Sequence, residues 1–384
     1  MVIQTARRRA PYRVVTQPRE LEQLASRVAG EPLIAVDTEA ASFHRYVDRI
    51  YLIQLSTRHE TAIIDPLTVG DVGPLGALLS DAGVEVVFHD ADYDLRILDR
   101  DYQVRARRLF DTRVAAQLVG EPAIGLAALL EKHLGVSLNK KFQRADWSRR
   151  PLTPDMLDYA AEDTRYLPRL RDVLREALEA KGRLSWAEEE FARLEHLRWT
   201  PVHANGDSYL RIKGARALSR RGLALLKELV HFREEVAAEL DRASFRVLSN
   251  EALLALAGSA PRTAQAVQAT PGVSERLVAQ RGAVLLAAIE RGLSVPEKEL
   301  PRFPKGERRV LDQAFDRRVE TLKTARNAAA GRLGLEPGVL CPKGTLEAVA
   351  RARPDSLAAL AAVPEMRKWQ VEVLGAEFLG AVKN

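Results

Sequence analysis

Apolar residues in the first half of the chain form short runs that end in polar residues. The run Leu33–Glu39 (LIAVDTE) is apolar and β-leaning until it reaches two acids. Ile50–Ser56 and Ala62–Asp65 are similar runs separated by polar turns, and Val84–Phe88 follows as a continuous apolar stretch. Such runs predict buried strands, and the first three favour an antiparallel meander that continues from Leu33–Glu39.

Segments with apolar residues at helical spacing lie before, between and after these strands in the sequence. This spacing predicts helices over residues 19–29, 75–81, 94–102, 113–119, 125–135 and 154–180. Strands first, followed by a strand with helices around it, favour an α/β domain with a mixed sheet.

The first run ends with two carboxylates on one face of the strand. Side chains alternate along a strand, so Asp37 and Glu39 point to one side while Thr38 points away. Neighbouring negative charges stay ionised together when a cation or hydrogen-bond donors offset them, which predicts half of a metal site. The alternative is a strand that simply ends in polar loop residues.

A second group of acids follows Val84–Phe88, in His89-Asp90-Ala91-Asp92-Tyr93-Asp94-Leu95. A calcium loop does not fit this stretch, because Leu95 occupies the position that needs glycine and Asp101 stands where glutamate is expected. The alternative is that Asp90 or Asp92 caps the next helix and the other acids are solvated.

A third acidic site lies on the helix predicted from residue 154. Thr153 is suited to the N-cap and Pro154 to the first helical position. Tyr159 and Asp163 are four residues apart and therefore share a helical face. This pattern is common, so it gains meaning only in combination with the other two sites.

In combination and in this order, the three sites resemble a known superfamily. Residues 37–39, 89–95 and 159–163 resemble the three exonuclease motifs of the DEDD superfamily, in its tyrosine-bearing branch. Within this branch they are most similar to the bacterial ribonuclease D family, as are residues 110–112 and 146–153.

The resemblance implies a ribonuclease-H-like fold and 3′ to 5′ hydrolysis of RNA to nucleoside 5′-monophosphates. It implies that Asp37, Glu39, Asp94 and Asp163 bind two divalent ions, Mg²⁺ or Mn²⁺, and that Tyr159 completes the catalytic set. The chemistry agrees, because an anionic phosphodiester repels hydroxide unless cations neutralise the site. A phenol with an ordinary pKa near 10 suits orienting the water better than accepting its proton.

Basic residues between the second and third motifs are candidate substrate contacts, with one aromatic ring among them. The substrate-binding candidates are Lys140, Lys141, Arg144 and Trp147, and Arg149 and Arg150 lie in the same stretch. The ring could stack on a base or pack in the core, and the cations could equally belong to a solvated loop.

The C-terminal half contains a repeat with an offset of 93 residues, which places Pro261 on Pro354 (354 − 261 = 93) without a gap. Both copies are rich in Ala and Leu at helical spacing, which predicts helical bundles. They resemble the HRDC domain, which is taken to assist nucleic-acid binding. The second copy departs at Ala328, Ala329 and Glu365, so its role could be purely structural.

These patterns predict three domains and two linkers. The predicted boundaries are an exonuclease domain at 1–200, a linker at 201–215, a first HRDC-like domain at 216–293, a linker at 294–304 and a second, divergent HRDC-like domain at 305–384.

Composition narrows the class of protein. The single cysteine, Cys341, excludes internal disulfides and Cys-based zinc clusters. The chain lacks an apolar run long enough to cross a membrane and a recognisable signal peptide, which predicts a cytoplasmic protein. The net charge is +6, and the surplus of basic residues lies in the helical copies, which suits a polyanionic partner. Solvated surface charge is the alternative explanation for an excess this small.

The predicted partner is RNA with a free 3′ end, such as a tRNA precursor. One alternative is a DNA exonuclease of the same fold, because no residue stands out as a sensor of the ribose 2′-hydroxyl. The other alternative is a non-catalytic RNA-binding protein, which the presence of all four acids and the tyrosine disfavours.

Overall fold

The computed structural model describes residues 11–201, 207–304 and 312–383, with the side chain of Lys383 left out. Its internal contacts divide the described residues into two units. The first unit contains residues 11–39, 50–199 and 312–383, and the second contains 40–49, 200–201 and 207–304.

A mixed six-stranded sheet forms the centre of the first unit, in the order β1-β4-β3-β2-β5-β6. Strand β3 is antiparallel to β4, as the meander predicts, whereas β1 is parallel to β4 and β2, β5 and β6 run parallel. The strands are β1 (Arg13–Val15), β2 (Leu33–Ala40), β3 (Ile50–Ser56), β4 (Thr61–Ile64), β5 (Glu85–Phe88) and β6 (Leu109–Asp111).

The parallel strands bring the ends of distant segments to one edge. Ala35 pairs with Val87, and Phe88 pairs with Asp111, so β2, β5 and β6 all finish on the same side of the sheet. Every residue of β3 is buried, which explains why this strand has a continuous apolar run rather than an alternating one.

Helices surround this sheet. Those before residue 200 are α1 (Pro18–Val28), α2 (Pro66–Val69), α3 (Gly73–Leu79), α4 (Asp92–Tyr102), α5 (Thr112–Val119), α6 (Leu126–Leu134), α7 (Pro154–Arg165), α8 (Leu167–Ala180) and α9 (Leu184–Leu194). The strands β1 and β6 are not predicted, because three residues are too few to show a period. The helices α2 and α9 are also absent from the sequence predictions.

The continuous helix predicted over residues 154–180 is wrong. The structure has two helices, α7 and α8, which meet at Tyr166. Pro168 lies in the first turn of α8, where its missing N–H costs no hydrogen bond. Because the two helices are separate, α7 packs against β3 and β4 independently of α8.

The C-terminal repeat is confirmed helix by helix. The first copy contains α10 (Arg220–Glu239), α11 (Ser244–Val247), α12 (Asn250–Ser259), α13 (Ala264–Gln268) and α14 (Glu275–Ser294). The second contains α15 (Gln313–Leu333), α16 (Pro337–Leu340), α17 (Lys343–Ala352), α18 (Leu357–Ala361) and α19 (Lys368–Lys383). Each helix of the second copy begins 93 residues after its counterpart, as 313 − 220 and 368 − 275 show.

The second copy packs against α9 within the first unit. The rings of Trp186 and Trp369 stack at 4.9 Å between centroids. Both oxygens of Glu189 accept hydrogen bonds from the first backbone N–H groups of α19, those of Lys368 at 2.8 Å and Trp369 at 3.1 Å. Arg367 forms an ion pair with Glu190 at 3.1 Å. An acid thus caps the positive end of a helix, the favourable arrangement.

The second unit includes the connection between β2 and β3. In this connection Phe43 makes an edge contact with Phe245 at 6.2 Å between centroids, and Arg45 pairs with Asp241 at 3.3 Å. Residues from the predicted linker 201–215 also enter the helical core, since Tyr209 and Ala215 are buried there.

Candidate active site

Three carboxylates from two distant segments meet at the edge where the parallel strands end. Asp37 and Glu39 project from the end of β2, and Asp163 comes from α7, which packs on the neighbouring strand β3. One oxygen from each of the three lies within 4.8 Å of the others. The hydroxyls of Ser56 and Thr164 are 2.7 Å apart and tie α7 to β3 beside Asp163.

The fourth acid, Asp94, is buried in the first turn of α4. It contacts Thr38, the residue between Asp37 and Glu39. The Thr38 hydroxyl donates a hydrogen bond to the Asp94 carboxylate. The sequence does not predict this contact between Thr38 and the fourth acid. Asp94 is not in the 4.8 Å group, but its charge acts on Asp37 and Glu39.

Burial and mutual repulsion make the ionised acids costly. Burial raises the pKa of Asp37, Glu39 and Asp94 well above ordinary values, and the neighbouring carboxylates raise them further. Burial, with a contribution from Glu162, raises the pKa of Asp163 to about 7. Hard oxygen ligands crowded in this way fit a divalent cation such as Mg²⁺, which would remove the repulsion.

Tyr159 stands next to these acids as a hydrogen-bond donor. Its hydroxyl donates to the Asp163 carboxylate. Burial, followed by the charges of Asp163, Glu39 and Asp37, raises the pKa of the phenol above its ordinary value. The phenol therefore keeps its proton at neutral pH. Its ring packs on Phe142 and Trp147, at 6.1 and 6.0 Å between centroids.

The start of α4 is fixed from outside the helix. Asp111, at the end of β6, accepts hydrogen bonds from the backbone N–H groups of Asp90 at 3.2 Å and Ala91 at 2.7 Å. The N-cap position is Ala91, so the alternative in which Asp90 or Asp92 caps the helix is wrong. Asp111 also caps α5, and its role was missed although residues 110–112 had been noted.

An open cleft of about 410 Å³ lies over the acids. Its lining includes Asp37, Tyr159, Asp163, His89, Lys140 and Gln143.

The predicted substrate contacts are placed differently from one another. Lys140 lines the cleft, whereas the Lys141 ammonium lies 5.1 Å from the centre of the Phe142 ring. Arg144 is exposed. Trp147 is only 1% exposed, so it takes the packing alternative and its ring is not available to stack on a base.

Arg150 is a positioning residue, and nothing in the sequence distinguishes it from the neighbouring basic residues. Its guanidinium pairs with Asp65 at 2.6 Å and donates to the carbonyl oxygens of Tyr51 at 3.0 Å and Trp147 at 2.8 Å. One planar group therefore fastens the segment that carries Trp147 to the β3 and β4 side of the sheet.

The fold and the acid cluster define a nuclease with appended helical modules, and family comparisons agree. Residues 12–179 match the 3′-5′ exonuclease family, and residues 222–289 and 315–382 match the HRDC domain. No helix in the described ranges 11–201, 207–304 and 312–383 is both long and apolar enough to span a bilayer.

Individual relatives specify the family. Ribonuclease D from Granulibacter bethesdensis is 32% identical over 378 residues, covering 97% of this chain and 92% of the relative. Ribonuclease D from Escherichia coli is 34% identical over 292 residues, covering 76% and 77%. The chain belongs to the ribonuclease D family, which places it among the 3′-5′ exoribonucleases, a class of hydrolases.

Solved structures give the same result. The crystal structure of E. coli RNase D, an exoribonuclease involved in structured RNA processing, matches with a TM-score of 0.72 at 27% identity, covering 97% of this chain and 99% of that one. The catalytic core of RRP6 from Trypanosoma brucei matches with a TM-score of 0.68 at 29% identity, covering 76% of this chain and 81% of that one.

Proposed function

We propose that this protein removes nucleotides one at a time from the 3′ end of RNA and releases nucleoside 5′-monophosphates. The observation that carries the proposal is the convergence of one carboxylate oxygen each from Asp37, Glu39 and Asp163 within 4.8 Å of one another, with Asp37 and Asp163 lining an open cleft. Asp94, held by Thr38, is the fourth proposed acid of the site.

Asp37, Glu39, Asp94 and Asp163 are the proposed ligands of two divalent ions, Mg²⁺ or Mn²⁺. When bound, such ions neutralise the phosphodiester and lower the pKa of the attacking water. The carboxylates supply hard oxygens, and their raised pKa values mean that cation binding and proton binding compete at this site.

The remaining groups of the cleft have separate roles in this proposal. The protonated Tyr159 hydroxyl orients the attacking water beside Asp163, since a phenol with a raised pKa is a donor at neutral pH. Lys140 supplies positive charge where the cleft opens and attracts the RNA backbone. Lys141 and Arg144 extend this charge along the same segment.

The proposed partner is RNA with a free 3′ end, in particular structured RNA such as tRNA precursors. The similarity to E. coli RNase D, an exoribonuclease involved in structured RNA processing, supports this choice. The proposed boundaries are an exonuclease domain at 1–200, a linker at 201–215, an HRDC domain at 216–293, a linker at 294–304 and a second HRDC domain at 305–384. The HRDC matches at 222–289 and 315–382 support the two helical domains, and Tyr209 and Ala215 of the first linker pack into the first of them.

The test compares 5′-labelled RNA with single-stranded DNA of the same sequence, each incubated with Mg²⁺ or Mn²⁺. We expect stepwise shortening of RNA, release of nucleoside 5′-monophosphates, and a loss of at least ~100-fold in rate for Asp37→Asn. Asp92→Asn is the matched control, because this acid lies near the cluster but is exposed and pairs with Arg96. Shortening of DNA in preference to RNA, or equal loss in both variants, would contradict the proposal.

A further inference from the structure

His89 lies in the cleft beside the acids and has no role in the proposal so far. It follows β5 directly and lines the cleft together with Asp37 and Asp163. Its Nδ1 lies 2.9 Å from the hydroxyl oxygen of Thr112. Among the described residues, no group is a hydrogen-bond partner of the other ring nitrogen, Nε2, and this atom is not buried.

The contacts of Thr112 determine which ring nitrogen carries the proton. Its hydroxyl lies 3.0 Å from the carbonyl oxygen of Phe88 and donates its single proton there, because a carbonyl has no proton to give. The Thr112 oxygen can therefore only accept from His89, so Nδ1 carries hydrogen. A neutral imidazole has one N–H, which leaves Nε2 with a lone pair.

The surroundings keep this ring neutral. Burial, together with the nearby Arg113 guanidinium, lowers the pKa of His89 to about 4, although Asp90 opposes the shift. Asp90 is itself paired with Arg113 at 2.5 Å. The cleft therefore contains a fixed, uncharged hydrogen-bond acceptor next to a cluster of anions.

The lone pair on His89 Nε2 can bind only a hydrogen-bond donor. Phosphate and carboxylate oxygens are acceptors, so Nε2 cannot bind the phosphate backbone of the substrate, and the available donors of a nucleotide are ribose hydroxyls, base amino groups and base ring N–H groups. The base donors differ in kind and position among the four bases: uracil has a ring N–H but no amino group, and adenine has an amino group but no ring N–H. An enzyme that shortens RNA step by step has to accept every base, which leaves the sugar.

We propose that His89 Nε2 accepts a hydrogen bond from the 2′-hydroxyl of the 3′-terminal nucleotide and so distinguishes RNA from DNA. This inference rests on the proposed function and assigns a residue to a discrimination that the sequence did not reveal. Thr112 is the positioning residue, since it fixes the tautomer without contacting the substrate.

The test uses 5′-labelled RNA whose last nucleotide has either ribose, 2′-deoxyribose or 3′-deoxyribose. Single-turnover removal of that nucleotide by the full chain should be roughly 2- to 10-fold slower without the 2′-hydroxyl, the worth of one neutral hydrogen bond. His89→Phe should lower the ribose rate to the 2′-deoxyribose rate and bring their ratio close to one. Thr112→Val should reduce the ratio in the same direction, and Thr112→Ser should preserve it.

Two results would overturn the inference. The first is that His89→Phe leaves the ratio of the ribose rate to the 2′-deoxyribose rate unchanged. The second is that His89→Phe removes the effect of the 3′-hydroxyl on the rate but not the effect of the 2′-hydroxyl.

A binding measurement separates this inference from the proposed function. It compares the affinity of the Asp37→Asn protein, with and without His89→Phe, for RNA ending in ribose and for RNA ending in 2′-deoxyribose. Selective binding of the ribose end by a protein that does not shorten RNA would refute the proposed function alone, and shortening of both RNAs at equal rates would refute the inference alone.

Discussion

At the scale of single residues, the site contains more negative charge than the protein can stabilise by itself. Burial and the neighbouring carboxylates raise the pKa of Asp37, Glu39 and Asp94, and the Thr38 hydroxyl donates a hydrogen bond to Asp94. Buried like charges destabilise the folded state, so the acids are arranged for a ligand rather than for stability. The metal-free protein should therefore gain stability when a proton or a cation binds.

This argument predicts how pH changes the effect of Mg²⁺ on stability. The pKa of Asp163 rises from 3.8 to about 7 on folding, so the folded state binds more protons than the unfolded state between these values. The stability of the metal-free protein then falls as pH rises through that window. Mg²⁺ should raise the melting temperature by roughly 2–5 °C at pH 8 and by much less at pH 5.5.

Thermal unfolding in EDTA and in Mg²⁺ at pH 5.5, 6.5 and 8 measures this effect. Asp163→Asn serves as the control, since it removes one of the repelling charges and should reduce the pH dependence. A Mg²⁺ effect of equal size at every pH would argue against competition between protons and the cation.

At the scale of elements, parallel pairing explains why the acids converge and how far the sequence could foresee it. The order of motifs predicts Asp37, Glu39 and Asp163 as site residues, and the structure brings one oxygen from each within 4.8 Å of the others. Contacts between side chains of different helices and strands could not be predicted from the sequence in the same way. Whether Thr38 reaches Asp94 depends on how α4 leaves β5, and no local pattern encodes that angle.

The other misses have the same cause. The apolar period is continuous over residues 154–180, and it does not show that a second helix begins at Leu167 with Pro168 in its first turn. Asp111 caps the start of α4 from a strand that is twenty residues away from Ala91. Burial of Trp147 follows from the anchoring of its segment by Arg150. Contacts of this kind come from tertiary structure, whereas periodicity reports local structure.

Thr38→Val tests the link between β2 and α4. Valine keeps the shape but deletes the hydrogen bond that lowers the pKa of Asp94, so a proton should compete better with the metal. We expect the Mg²⁺ concentration for half-maximal activity to rise about 10-fold, with recovery of the maximal rate in excess Mg²⁺. Titration of activity with Mg²⁺ measures this, and Thr38→Ser, which keeps the donor, should resemble the wild type. A lower maximal rate with an unchanged Mg²⁺ requirement would contradict this role.

At the scale of the whole molecule, the two helical copies have the same helices and different surroundings. The second copy is part of the unit that contains the sheet, and α9 joins it through the stacked Trp186 and Trp369 and through Glu189. Arg183, which is buried, adds a bond from the start of α9 to the carbonyl oxygen of Leu333 at 2.6 Å. These contacts support a bracing role for the second copy.

Glu189→Ala tests the brace. Loss of the cap should cost about 0.5–2 kcal/mol, because two N–H groups of α19 lose their acceptor. The melting temperature should fall by a few degrees while the rate of RNA shortening at 25 °C stays within about 2-fold. Glu188→Ala is the control, since this neighbouring acid is exposed. Equal melting temperatures for the two variants would contradict the capping role.

The connection between β2 and β3 has a consequence for any shortened form of this protein. It leaves the sheet one residue after Glu39 and is held by Phe245 and Asp241, which lie two hundred residues further along the chain. A fragment ending after Trp199 would contain every acid of the site and still lose the surface on which this connection rests. Such a fragment therefore differs from the full chain in the segment that directly follows Glu39, although every proposed metal ligand is still present.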